Sequence, residues 1–285
     1  MKNYLIIFLV IIGIGLLFTI SNSIPSLFAH GKSNHTKVTK GIDTLEFHIS
    51  SVEAKVVPEK RSDIKADLSG KGSVNVEQIG NKIMIEYKRK WFEQIGFFNS
   101  PKITIYIPED YNKSMDISVS SGSLKFAGVS KNHPMELKDL SIHIGSGHAD
   151  FSNLNVDTFT SVVSSGNFEM NFVKTDSGNF QLSSGRMVVK HYIGELQTEV
   201  SSGLFNIQLD ELTASADVTV SSGSVNLDLP EDANFTLHGK VSSGVINNSF
   251  QLKNASSSHK IIEGTYGSGK HPVNLQVSSG IITVQ

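Results

Sequence analysis

From residue 115 to the C-terminus, apolar and polar side chains alternate in short runs, and each run is broken by one recurring phrase. It reads Ser-Ser-Gly or a close variant, and its glycines fall at Gly122, Gly147, Gly166, Gly185, Gly203, Gly223, Gly244 and Gly280. Two places after each glycine stands an apolar residue (Leu124, Ala149, Phe168, Met187, Phe205, Val225, Ile246, Ile282). The next residue is mostly polar, as in Lys125, Asp150, Glu169 and Asn206. A period of two is that of a β-strand with one buried face. Most of the glycines are 18 to 21 residues apart, a period typical of stacked coils. A single coil cannot bury its own apolar face, so the copies are expected to stack at about 4.8 Å per step into a parallel β-solenoid roughly 38 Å long. The glycine supplies either a positive φ or room at a crowded corner, and the serine hydroxyls are expected to bond backbone groups there.

Residues 41–114 lack the phrase but also alternate, at Leu45, Phe47 and Ile49, at Ile83, Ile85 and Tyr87, and at Ile103, Ile105 and Ile107. They are expected to form an antiparallel β cap over the first coil, whose open edge would otherwise invite aggregation. The long step from Gly244 to Gly280 contains the polar run Asn254-Ala-Ser-Ser-Ser-His259, which reads as a loop inserted into one coil.

The pattern changes at the N-terminus. Residues 4–20 carry no charge and, as a helix of about 25 Å, just span a bilayer core. They are expected to form an uncleaved, single-pass signal anchor behind a short cytoplasmic stub, with 21–40 as a polar stalk and the bulk of the chain extracytoplasmic at the cell membrane. The alternative is a signal peptide cut after Ala29, although Leu27 fits the small-residue cleavage pattern poorly.

Composition narrows the function. A formal net charge of -2 gives no field that would recruit nucleic acid. Cysteine is absent, which excludes disulfides, a thiol nucleophile and a Cys-based zinc site. An exported chain without disulfides fits a bacterial surface.

The repeated serines invite a search for a nucleophile. A Gly-x-Ser-x-Gly elbow needs a glycine two residues before the serine, and the Ser-Ser-Gly copies lack one. Asp150 and Glu169 occupy equivalent outward positions in adjacent coils, close to the spacing of a retaining glycosidase pair, and they carry the alternative reading of a carbohydrate-active enzyme. The ten histidines include no HExxH motif, and serine holds the turns where a calcium roll would need acids. Neither a metal nor another cofactor is expected. Between the second and third of the cap's alternating runs, where a hairpin is expected to turn, lies Lys88-Arg-Lys-Trp-Phe-Glu-Gln-Ile-Gly-Phe-Phe-Asn99. Its Trp91, Phe92, Phe97 and Phe98 either pack over the cap or form a tip for a membrane surface or a partner.

The strand Lys102-Ile-Thr-Ile-Tyr-Ile-Pro-Glu-Asp-Tyr111, followed by Ile117-Ser-Val-Ser-Ser-Gly-Ser-Leu-Lys-Phe126 and the iterated Ser-Ser-Gly strands, resembles the adhesin-like domain family of bacterial membrane-anchored envelope proteins over about residues 42–285. The resemblance implies a surface-facing β-solenoid, an association with the response to cell-wall damage, and no catalytic residues. The expected function is therefore non-enzymatic, with an envelope protein, a wall polymer or the membrane as partner. A third reading is an accessory that modulates a membrane-bound stress sensor through its anchor.

Overall fold

The computed structural model describes residues 34–88, 100–258 and 260–285. The proposed anchor and most of the stalk lie outside them. Among the described residues no helix is long and apolar enough to cross a membrane, and all regular structure is β.

Alternation drives the strands as the sequence predicts. In β12 (Asn167–Leu182) Phe168, Met170, Phe180 and Leu182 point inward and are buried, while Glu169 and Lys174 are exposed. Strands β11 (His148–Val163), β12 and β13 (Arg186–Val200) each run through a corner and so serve two neighbouring coils. The residue at each corner, Asn153, Phe172 or His191, has φ between 54° and 57°. These left-handed positions open the second corner of the coil without glycine, a conformation that asparagine tolerates and phenylalanine rarely adopts.

Two parallel sheets result, with the core between them. On the first, β2 (Thr44–Ile49), β8 (Ser114–Val119), β10 (Met135–Ile144) and the second halves of β11, β12 and β13 stack in parallel. On the second, β3 (Val52–Glu59), β9 (Gly122–Ala127), the first halves of β11 to β13 and β14 (Leu204–Glu211) do the same. Phe126, Phe151 and Phe168 form a column of edge-on rings with centroids 5.6 and 5.5 Å apart, which locks successive coils at one height. Ser161, Thr175 and Thr198 are buried with the apolar core. Beside them the Tyr192 hydroxyl donates to the Glu195 carbonyl at 2.6 Å and accepts from Thr175 Oγ1, also at 2.6 Å. Its burial pushes the phenol pKa up, so it stays a donor.

Two expectations change at the ends of the stack. The antiparallel cap over 41–114 is realised in β4 (Asp63–Ser69) and β5 (Ser73–Ile79), which pair antiparallel with β7 (Lys102–Pro108) and β6 (Lys82–Lys88). The rest of that region is solenoid, because β2 and β3 pair in parallel with β8 and β9, and β6 and β7 with β2 and β3. A bend at Ser50-Ser51 makes β2 and β3 a further coil. The strands flanking the Trp91 segment are thus the two arms of the outermost coil, not the two arms of a hairpin. The segment itself lies outside the described residues.

At the other end the coils depart from chain order. Strands β15 (Ala216–Val220) and β16 (Ser224–Asp228) pair with the last two strands of the chain, β21 (His271–Val277) and β22 (Ile281–Val284). These in turn pair with β17 (Phe235–Val241) and β18 (Val245–Asn248), which come earlier in sequence. The C-terminal coil is interposed, and the glycines stack in the order Gly223, Gly280, Gly244. The expected loop between Gly244 and Gly280 is an antiparallel hairpin of β19 (Lys253–Ser257) and β20 (Ile261–Tyr266) on the outer edge of β17. Phe250 folds with it against Phe235 and Tyr266 to close the core. The layers run β6/β7, β2/β3, β8/β9, β10/β11, β11/β12, β12/β13, β13/β14, β15/β16, β21/β22, β17/β18. That makes ten layers in place of the expected eight, and about 48 Å at 4.8 Å per layer.

Candidate functional site

The first corner of the coil carries the Ser-Ser-Gly phrase, and its geometry settles what each residue does. The backbone ladder passes through the bend without a break. Ser164 N donates to the Ile144 carbonyl and Ser183 N to the Val163 carbonyl, each at 2.8 Å, and Arg186 N donates to the Gly166 carbonyl at 3.1 Å. The corner groups are therefore satisfied by neighbouring backbone, and serine hydroxyls are not needed for them. At the N-terminal end a hydroxyl adds to this, where Ser51 N donates to the Ser121 carbonyl at 3.0 Å and also reaches Ser121 Oγ at 3.1 Å. At the later corners most of the serines are exposed, in two adjacent columns that climb from layer to layer.

Of the two roles open to glycine, room is the general one. Among the eight repeat glycines only Gly122 has a positive φ, of 88°. A Cβ on Gly203 would come 2.6 Å from the Gly185 carbonyl oxygen, and one on Gly185 would overlap the Gly166 carbonyl oxygen. Each glycine lies directly on the one before it, so the corner has a bare floor. Serines rise on one side of that floor and the residue after each glycine rises on the other. Over the later layers this makes an open trough of about 490 Å³, lined by Ser202, Ser222, Ser279, Leu204, Ser224 and Ile281 over the glycine floor.

Asp150 and Glu169 are brought together as the sequence predicts, as register partners on the outer face of the second sheet. Asp150 is committed elsewhere, because Lys125 Nζ in the layer above lies 3.3 Å from its Oδ2. Val188 sits below Glu169. Among the described residues no group of three His, Asp or Glu side chains is placed to hold a metal ion.

Sequence reasoning missed one surface feature. Lys131 Nζ lies 4.2 Å above the Phe172 ring, and His191 stacks beneath it at 4.2 Å and 9°. His191 Nδ1 is in turn 2.9 Å from Asp210 Oδ1. The column follows the second corner, and its parts are scattered from 131 to 210. Their joining depends on the left-handed bends at Phe172 and His191, for which neither residue type gives a signal.

A parallel β-solenoid that turns on a glycine-floored, serine-lined corner belongs to the class of repeat-built β folds. The chain belongs to the Toastrack DUF4097 family, whose model matches residues 42–285. It is similar to a solved structure from Clostridium sporogenes described as a candidate cell adhesion protein, at 13% identity and a TM-score of 0.25, over 88% of this chain and 96% of that one. It is also similar to a candidate adhesin of Bacteroides fragilis, at 15% identity and a TM-score of 0.32, over 88% of this chain and 95% of that one. Neither likeness bears on function. No curated protein matches the chain.

Proposed function

We propose that the chain is a non-enzymatic, membrane-anchored envelope protein whose solenoid stands on the outer side of the membrane as an adhesin-like interaction module. The observation that carries this reading is the corner itself: a regular serine-lined surface continued over successive layers, with its backbone bonds already closed and its hydroxyls facing outward. The uncharged segment 4–20, the polar residues after it and the absence of cysteine support the anchor and the location. At the level of the individual protein, the reading is a counterpart of LiaG, a membrane-associated product of the lia cell-envelope stress operon. The link to envelope stress rests on that resemblance.

The test is retention of partners from intact envelopes by the full-length chain in detergent, run beside the double variant Asp150→Asn, Glu169→Gln. A wall polymer or envelope protein should be retained equally by both, with no polymer turnover by either. Retention of nothing would count against the module. Polymer cleavage lost in the double variant would establish the enzyme instead.

A further inference from the structure

We propose that the trough on the C-terminal half of the Ser-Ser-Gly corner binds an uncharged, extended, β-linked glycan strand that runs along the stack, with about one sugar per coil. This rests on the module reading above and names its ligand.

The first support is how charge is distributed over this side of the solenoid. In the N-terminal layers the two columns after the glycines hold charges: Lys102 pairs with Glu53 at 3.0 Å and Arg186 stands in the first, which passes through Ser123, His148 and Asn167, while Lys125 pairs with Asp150 at 3.3 Å above Glu169 in the second. Below Arg186 the columns after the glycines carry no charge, and the exposed Glu199 and Lys240 stand beyond the serines on the other side. The residues after the glycines become Leu204, Ser224, Ile281 and Val245, which lie in register on β14, β16, β22 and β18. Two places further out stand Asn206, Asn226, Thr283 and Asn247. Rows of hydroxyl, aliphatic and amide groups thus run side by side over four layers without a charge.

The aliphatic row is the second support. Leu204 is 40% exposed, Ile281 44% and Val245 48%. Among the described residues six large apolar side chains are exposed, and three of them fall in this one column. Isolated apolar residues on a surface need no explanation, but a column of them along an open trough does.

The chemistry then selects the ligand. A site without charge cannot offset the desolvation of a charged polymer, which disfavours an anionic chain. An extended peptide would be held by main-chain bonds. The floor offers no carbonyls for them, because the Gly203, Gly223 and Gly280 carbonyls already accept from Ser224, Ile281 and Val245 N–H. What remains are side-chain hydroxyls and amides, which donate and accept as sugar hydroxyls do, and an aliphatic bank against which the C–H face of a sugar ring can lie. These groups recur at about 4.8 Å, a spacing that a β-linked chain advancing by roughly one strand width per sugar can follow.

The experiment is calorimetric titration of the full-length chain in detergent with chitohexaose, and with polygalacturonate as the anionic comparison. Chitohexaose should bind, and Ile281→Lys should weaken it about tenfold or more by charging the aliphatic bank. Ile281→Ser, which keeps the strand neutral, should weaken it by a smaller factor and guards against misfolding of the first variant. Lys125→Ser and Arg186→Ser should leave binding unchanged. Binding that is indifferent to both Ile281 variants, or that follows Lys125 and Arg186 and prefers polygalacturonate, overturns the proposal. If chitohexaose fails to bind while the envelope experiment retains a protein partner, the glycan assignment falls and the module stands. If both fail, both fall.

Discussion

Gly185→Ala is expected to destabilise the chain by about 3 kcal/mol, at the upper end of what overpacking a rigid site costs. For a domain of this size that lowers the thermal midpoint by roughly 6 to 12 °C. The reason is space. The new methyl would overlap the Gly166 carbonyl oxygen and stand 3.1 Å from the Gly166 nitrogen. Both obstacles are backbone, held by the bond from Arg186 N to the Gly166 carbonyl, so the layers would have to part to admit it. Ser184→Ala, one residue away, should stay within about 0.5 kcal/mol, because that hydroxyl is exposed and the bend is closed by backbone. Thermal unfolding of the two variants separates a packed glycine floor from a serine-bonded corner. A neutral Gly185→Ala together with a costly Ser184→Ala would reverse the assignment.

Ending the chain at Lys270 is expected to unfold more than it removes. The missing segment holds β21 and β22, with Val273, Leu275, Val277, Ile282 and Val284 all buried. Because this layer lies between β15/β16 and β17/β18, its loss takes away the parallel partners of both β17 and β18. Stacked repeats are stable through nearest-neighbour interfaces, so residues from about 230 onward should lose hydrogen-exchange protection while the layers above β15/β16 keep theirs. A stack built in chain order would lose only its last layer and leave β17 and β18 protected.

The parts of this fold that a reader of the sequence can see are those in which one residue position reports one physical constraint. Phe168, Met187 and Phe205 are legible as core because each stands two places after a glycine, in the inward phase of the alternation. Asp150 and Glu169 are legible as neighbours for the same reason. The coil of β2 and β3 is hidden because Val52 occupies the place of glycine. There the close contact falls on the other partner, Gly122, whose Cβ would meet the Val52 backbone. The order of the last coils is hidden for a deeper reason. Val-Ser-Ser-Gly at 220, 241 and 277 presents the same surface above and below, so the local sequence cannot say which copy lies on which. That choice is made by the hairpin of β19 and β20 and by Phe250 packing on Phe235 and Tyr266, all long-range contacts. The order within the trough was illegible with it: the residues after the glycines share one column in either arrangement, but that Ile281 lies between Ser224 and Val245 follows only from the interposed C-terminal coil.

The order of the layers therefore stands on that interposition, and cysteine pairs test it directly in a chain with no cysteine of its own. Ser222, Ser279 and Ser243 hold equivalent places in consecutive layers, as the bonds from Ser279 N to the Ser221 carbonyl and from Ser243 N to the Ser278 carbonyl require. Adjacent layers bring equivalent Cα atoms to about 4.8 Å, within disulfide reach, and a gap of two layers does not. The measurement is oxidative cross-linking of the folded chain, read by peptide mapping. The Ser222→Cys, Ser279→Cys pair should form a disulfide and the Ser222→Cys, Ser243→Cys pair should not. The opposite result, with 222 joined to 243 and not to 279, would place the coils in chain order and contradict the account.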